Sequence, residues 1–127
     1  MVHFIRSRIR SILYALAGWN HVLRNEKNAW VHAVASILVF IFGMWLRISI
    51  YEWVLILIMV TMVWLAEFLN TAIEAVVDLA SPEHHPLAKL GKDVGAAAVL
   101  IAACASILVG LLILGPPLLV KIKMFIK

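Results

Sequence analysis

One cysteine, four prolines and six glycines are spread over 127 residues. The single Cys104 lies in an apolar run and has no second cysteine to pair with, which excludes an intrachain disulfide framework and a thiolate metal cluster. Charge is also scarce: 14% of the residues are Asp, Glu, Lys or Arg, where a soluble domain carries roughly a quarter. No His-Glu-x-x-His spacing, no G-x-x-x-x-G-K-S/T phosphate loop and no dinucleotide fingerprint occurs, so any nucleotide chemistry must be built by other means. His84 and His85 are adjacent but lack further ligands, and they read as solvated loop histidines rather than a metal site.

What is abundant is apolar. The hydrophobic class makes up 65% of the chain and the mean hydropathy is +1.03, the composition of an integral membrane protein forming one domain over residues 1–127. The formal net charge of +4 raises nucleic acid as a partner, but the cations are badly distributed for it. Arg6, Arg8 and Arg10 cluster at one end and Lys121, Lys123 and Lys127 at the other. Both clusters adjoin apolar segments, where anionic lipid headgroups are the natural counterions.

Along the chain, arginines interrupt the N-terminal apolar residues, so the segment does not read as a cleaved signal peptide. At helical spacing Phe4, Ile5, Ile9, Ile12, Leu13, Leu16, Trp19, Val22 and Leu23 oppose those arginines, which predicts an amphipathic surface helix over 4–25. Residues 29–46 form a first membrane helix, bracketed by Trp30 and Trp45 at headgroup level. A reversal over Arg47–Glu52 leads into a second helix, 53–79, whose periodicity runs past the apolar part and stops near Ser81-Pro82. A polar connection, Ser81–Gly91, precedes a third membrane helix over 94–118. That helix is rich in Gly95, Ala96, Ala97, Ala98, Ala102, Ala103 and Ala105, which permit close packing, and Pro116-Pro117 is expected to bend or end it.

The predicted fold is therefore all-α: three transmembrane helices plus the N-terminal surface helix. Three spans place the arm and the 81–93 loop on one side. That side carries seven cations, Arg6, Arg8, Arg10, Arg24, Lys27, Lys89 and Lys92, against Arg47, Lys121, Lys123 and Lys127 on the other. The positive-inside rule makes the seven-cation side cytoplasmic.

The informative segment is WLAEFLNTAIEAVVDL, residues 64–79. At about 100° per residue, Asn70, Glu74 and Asp78 fall within about 60° of Glu67, so four polar residues share one face of a helix continuous with a membrane span. Unpaired carboxylates at that depth are expensive and repel one another, so a positive partner must share the site. Magnesium fits, because it takes carboxylate and amide oxygens and completes its shell with water and phosphate. Lys92-Asp93, at the start of the last span, can add a phosphate-binding cation and a further carboxylate. Glu26, in RNEKN at the junction of arm and first span, is either a remote metal ligand or a surface acid. His32 can face the same site or make a local polar contact.

These residues resemble the small prokaryotic integral-membrane lipid kinases, the family of diacylglycerol kinase and undecaprenol kinase. Glu67-Phe-Leu-Asn70-Thr71-Ala-Ile-Glu74-Ala-Val-Val-Asp78 is similar to its central motif and Lys92-Asp93-Val-Gly-Ala-Ala-Ala-Val-Leu to the segment opening its last span. With Glu26, the likeness extends over roughly residues 10–118. The resemblance implies a homotrimeric helical bundle in the inner membrane that phosphorylates a lipid alcohol with magnesium-ATP. It implies Glu67 as the base acting on the lipid hydroxyl and Glu26 and Glu74 as magnesium ligands, with Asn70, Asp78, Lys92 and Asp93 shaping the site or contacting nucleotide. HPLAKLGKDV, residues 85–94, together with Val109-Gly110 and Gly115-Pro116, is closer to the undecaprenol branch than to the diacylglycerol branch. Two alternatives remain: a diacylglycerol kinase making phosphatidic acid and, from another class, a non-catalytic membrane subunit or small ion transporter whose acidic face binds ions or a partner.

Overall fold

The computed structural model describes residues 1–81, 83 and 85–126. Pro82, His84 and Lys127, which the sequence reading used as a helix stop, a loop histidine and a terminal anchor, lie outside the described residues. The described residues form four helices and no strand: α1 (Val2–Asn25), α2 (Lys27–Leu46), α3 (Ile50–Ala80) and α4 (Pro86–Ile126). The last three are each long and apolar enough to cross a membrane. The protein is a multi-pass, all-α membrane protein.

α1 ends where Asn25 Nδ2 turns back to donate to the His21 carbonyl at 2.9 Å. Glu26 leaves helical geometry (φ −97°, ψ 116°), its N–H still bonded to the Val22 carbonyl at 2.9 Å, and α2 begins at the next residue. A single residue thus separates arm from span. Most of α1 is exposed; it is held at its C-terminal end, where Val22 is buried and Trp19 packs on Trp64 and Phe68 of α3, with ring centroids 5.1 and 4.7 Å apart. These contacts hold the amphipathic arm across the end of the bundle that carries the polar face of α3.

The reversal between α2 and α3 is tighter than the expected Arg47–Glu52. Arg47 adopts the left-handed region (φ 56°, ψ 48°), with its N–H on Met44 O and the Ile48 N–H on Gly43 O, a Schellman closure. Ser49 then caps α3: its N–H donates to Glu52 Oε2 at 2.6 Å, and its Oγ accepts the Glu52 N–H at 3.4 Å. Glu52 therefore belongs to the first turn of the helix. Gly43 has no room for a side chain, since a Cβ there would stand 2.8 Å from the Trp53 ring, and this close approach lets Phe40 stack on Trp53.

α4 departs furthest from expectation. The polar connection is confined to 81–85, because Pro86 fills the first helical position, where its missing N–H is no loss. His85 caps the turn, accepting the Leu87 N–H on Nδ1 at 3.2 Å and the Lys89 N–H on its carbonyl at 3.1 Å. At the far end α4 passes through Pro116 and Pro117 without stopping and continues to Ile126. Spanning helices tolerate such residues because neighbouring helices and local adjustment re-satisfy the freed carbonyls. Beyond the prolines Lys121 is tied to the end of α2: its Nζ donates to the Trp45 carbonyl at 2.6 Å and lies 4.2 Å from the Trp45 ring centroid.

α3 and α4 form the closest helix pair. Ile56 and Val63 from α3 and Val99, Ala102 and Ile113 from α4 are buried. Of the small residues expected to favour packing, Gly95 and Ala102 are buried, whereas Ala96, Ala97 and Ala98 are exposed. In hydrocarbon such pairing rests on close van der Waals contact rather than on exclusion of water, which is why the absent side chain of Gly95 matters.

Candidate functional site

The polar face of α3 grades from dry to wet. Glu67 is 1% exposed and Asn70 9%, Glu74 is half-buried and Asp78 is exposed. Helical spacing places all four on one side, and the packing of α2 and α4 sets how deep each lies. Asn70 Nδ2 donates to Glu74 Oε1 at 2.8 Å, which holds that carboxylate in place. Asn70 Oδ1 is buried against Gly95, where no Cβ could fit, and has no hydrogen-bond partner.

Glu67 is enclosed between α2 and α3. Its Oε2 is buried without a hydrogen-bond partner and stands 3.6 Å from His32 Nε2, which is likewise buried and unpartnered. The titratable groups around Glu67 are His32, Glu26 and Glu74. His32 sits on a local scaffold in which its carbonyl accepts Ser36 Oγ–H at 2.7 Å and Ser36 Oγ accepts Trp64 Nε1–H at 3.2 Å. The sequence offers Ser36 only as a residue four beyond His32; its bond to Trp64 is a cross-helix contact that periodicity does not reveal.

The expected single cluster is divided between two neighbouring cavities. One, of about 290 Å³, is lined by Asn28, His32, Asn70 and Glu74, with Ala96, Val99, Leu100 and Ala103 of α4 as its apolar wall. The other, of about 450 Å³, lies at the loop end and holds Asp78, Lys92 and Asp93 together with Ser81, Glu83, His85 and Lys89. Lys92 Nζ bridges to Asp78 at 2.9 and 3.1 Å. Asp93 is bonded to Lys89 Nζ at 2.6 Å rather than to Lys92, so the adjacent pair read from the sequence serves two separate ion pairs. By sequence Lys89 reads only as a cation of the loop side; its spacing of four from Asp93 is the signal that points to the pair.

Glu26 is half-buried at the corner between α1 and α2. Among the described residues no group of three or more His, Cys, Asp or Glu side chains gathers tightly enough to hold a metal on its own. The carboxylates on offer around Glu67 are those of Glu26 and Glu74. Magnesium is commonly bound by one or two carboxylates with the rest of its shell from phosphate and water, so this sparse oxygen set suits it better than a transition metal.

Chemically, then, the chain offers a buried carboxylate in the membrane half of a polar column, and a cation-bearing cleft at the column's wet end. Residues 13–114 match the family model described as prokaryotic diacylglycerol kinase. Undecaprenol kinase of Bacillus subtilis (strain 168) is 42% identical over 109 residues, covering 86% of this chain and 89% of that protein. Diacylglycerol kinase of Synechocystis sp. is 36% identical over 110 residues, 86% of this chain and 63% of the relative, and that of Escherichia coli (strain K12) is 36% identical over 100 residues, 79% and 82%. With that coverage, and with three apolar helices of which α3 carries the carboxylate column, the chain belongs to the prokaryotic diacylglycerol kinase family.

Proposed function

We propose that this lipid kinase transfers the γ-phosphoryl group of magnesium-ATP to the hydroxyl of a membrane lipid alcohol, with undecaprenol favoured over diacylglycerol. The observation that carries the reading is Glu67, a carboxylate 1% exposed in a membrane helix, with a graded polar face leading from it to the Lys92 cleft. A lipid hydroxyl arrives from the bilayer side and ATP from water, and a helix that joins the two environments brings them together.

In this reading Glu67 takes the proton of the lipid hydroxyl as its oxygen attacks the γ-phosphorus, and the bond to the β-phosphate oxygen breaks to release ADP. Asn70 holds Glu74 through its 2.8 Å hydrogen bond. Lys92, anchored by Asp78, offers an ammonium to phosphate oxygens, and Asp93 sets the position of Lys89 on the same wall. Glu26 and Glu74 would hold the magnesium, which when bound neutralises phosphate charge. With ATP as donor, the side bearing the arm and the 81–93 segment is the cytoplasmic one and the membrane is the inner membrane.

The protein works as a homotrimer. In support, most of the surface of each spanning helix remains exposed in the isolated chain, and an apolar groove between α3 and α4 runs up to Asn70. A 127-residue chain with three spans has too few walls to enclose ATP and lipid together, and further copies supply them. Undecaprenol is preferred over diacylglycerol because HPLAKLGKDV carries the undecaprenol-branch pattern and the Bacillus subtilis relative bears that name. A non-catalytic subunit or small ion transporter has nothing in its favour beyond the same carboxylates.

The test is a side-by-side assay of the purified protein with undecaprenol, diacylglycerol and magnesium-ATP, following the phosphorylated lipid. Faster phosphorylation of undecaprenol is expected, and a preference for diacylglycerol would reverse the substrate assignment. Glu67→Gln should abolish turnover while leaving assembly intact; a fully active variant would remove the base assignment. Chelation of magnesium should stop the reaction, and its restoration should restart it.

A further inference from the structure

The mechanism above uses Glu67 and leaves its neighbour His32 without a role. His32 Nε2 and Glu67 Oε2 are 3.6 Å apart, both are buried, and neither has a hydrogen-bond partner. Each alone would be an expensive orphan, since a buried polar atom without a partner forfeits its hydration for nothing. The two are complementary, and closing the gap by roughly half an ångström brings them within hydrogen-bond range. Catalytic hydrogen bonds are often long in the unliganded state and tighten with substrate bound.

The surroundings tie the backbone of His32 to Ser36 and Trp64 and set an indole beside its ring. Its carbonyl accepts Ser36 Oγ–H at 2.7 Å, Ser36 accepts Trp64 Nε1–H at 3.2 Å, and the Trp64 ring lies edge-on to the imidazole with centroids 6.4 Å apart. The charged groups facing the pair are Glu26 at the α1–α2 corner and Glu74 on α3, while α4 presents Ala96, Val99, Leu100 and Ala103. His32 lines both the polar cavity with Glu74 and an apolar slot of about 170 Å³ between α2, α3 and α4 that contains Val39, Val60 and Ile107. It therefore stands at the boundary between the polar column and the hydrocarbon-lined interior.

We infer that His32 is a positioning residue for Glu67: its Nε2–H donates to Oε2 and so fixes the carboxylate, leaving Oε1 to face the lipid hydroxyl. The inference rests on Glu67 being the general base. Both protons are accounted for: the lipid proton passes to Oε1 of Glu67, and the Nε2 proton stays on His32. Neither role needs a group from outside the proposed reaction.

The experiment compares His32→Leu, which removes the donor, with His32→Gln, which keeps an N–H donor on a side chain of similar reach. With folding verified by circular dichroism, His32→Leu should lower kcat about 10- to 100-fold, the scale of a misplaced catalytic group, with KM for ATP unchanged. His32→Gln should recover most of the lost kcat. In difference infrared spectra the carboxylate band lost in Glu67→Gln identifies Glu67; it should shift in His32→Leu and return in His32→Gln. A His32→Leu enzyme with normal kcat, or a His32→Gln enzyme as slow as His32→Leu, overturns the inference. An inactive Glu67→Gln beside a fully active His32→Leu removes the positioning role alone, whereas a fully active Glu67→Gln removes the base reading and the inference with it.

Discussion

Gly95 of α4 gives Asn70 of α3 its place: a methyl group on the glycine would run into the amide oxygen, so the two backbones approach as closely as they do only because position 95 carries no side chain. The amide is thereby turned so that its nitrogen reaches Glu74 at 2.8 Å.

Gly95→Ala should push Asn70 aside and release Glu74. Overpacking of this kind destabilises by about 1–3 kcal/mol, and misplacing Glu74 should lower turnover by about 10-fold or more. Thermal unfolding in detergent and lipid phosphorylation measured on the same preparation check both effects. Normal values for both would show that the helix pair relaxes freely at this point.

Lys92 and Asp78 form a bridge whose ends are partly or largely exposed, so water screens it and the pair adds little to stability. Lys92→Met should leave the unfolding temperature nearly unchanged while raising KM for ATP, because the missing ammonium is missed by phosphate rather than by the fold. A large drop in unfolding temperature with unaltered KM would identify the lysine as a structural brace.

Ser36→Ala removes the acceptor of Trp64 Nε1 and leaves a part-buried indole N–H unpaired, at a cost of about 1–3 kcal/mol. Trp64 also carries Trp19 of the arm through their ring contact. Proteolysis within α1 should therefore accelerate in the variant, and unchanged cleavage rates would show that the arm is held independently of this bond.

The carboxylate face was legible from the sequence because it depends on a single number, the helical repeat. Glu67, Asn70, Glu74 and Asp78 share a side wherever α3 is packed. What the sequence does not disclose is registry between helices. That Lys92 meets Asp78 while Asp93 turns to Lys89 depends on how α4 slides along α3, and the approach of His32 to Glu67 depends on the depth at which α2 crosses. The helix ends went astray where local rules compete. Proline marks the start of α4 at Pro86 but fails to stop it at Pro116-Pro117, because a spanning helix has neighbours that absorb the freed carbonyls. The reversal shrank because Ser49 and Glu52, read as turn residues, form a capping box.

Arg47 is the one non-glycine residue with positive φ among the described residues, at 56°. Arg47→Gly should relieve that strain and stabilise the protein by about 0.5–1 kcal/mol, the difference expected where the backbone itself calls for glycine. A higher unfolding temperature is the expected reading. A lower one would mean that the guanidinium contributes more at this end of the span than its backbone costs.

From Val2 to Leu46 every residue but one is helical, and the exception is Glu26. Two stiff rods, one amphipathic and the other spanning, thus meet at a single extended residue, which carries one of the candidate metal-binding carboxylates. One pair of backbone angles sets both the direction in which the arm leaves the span and the place from which that side chain projects.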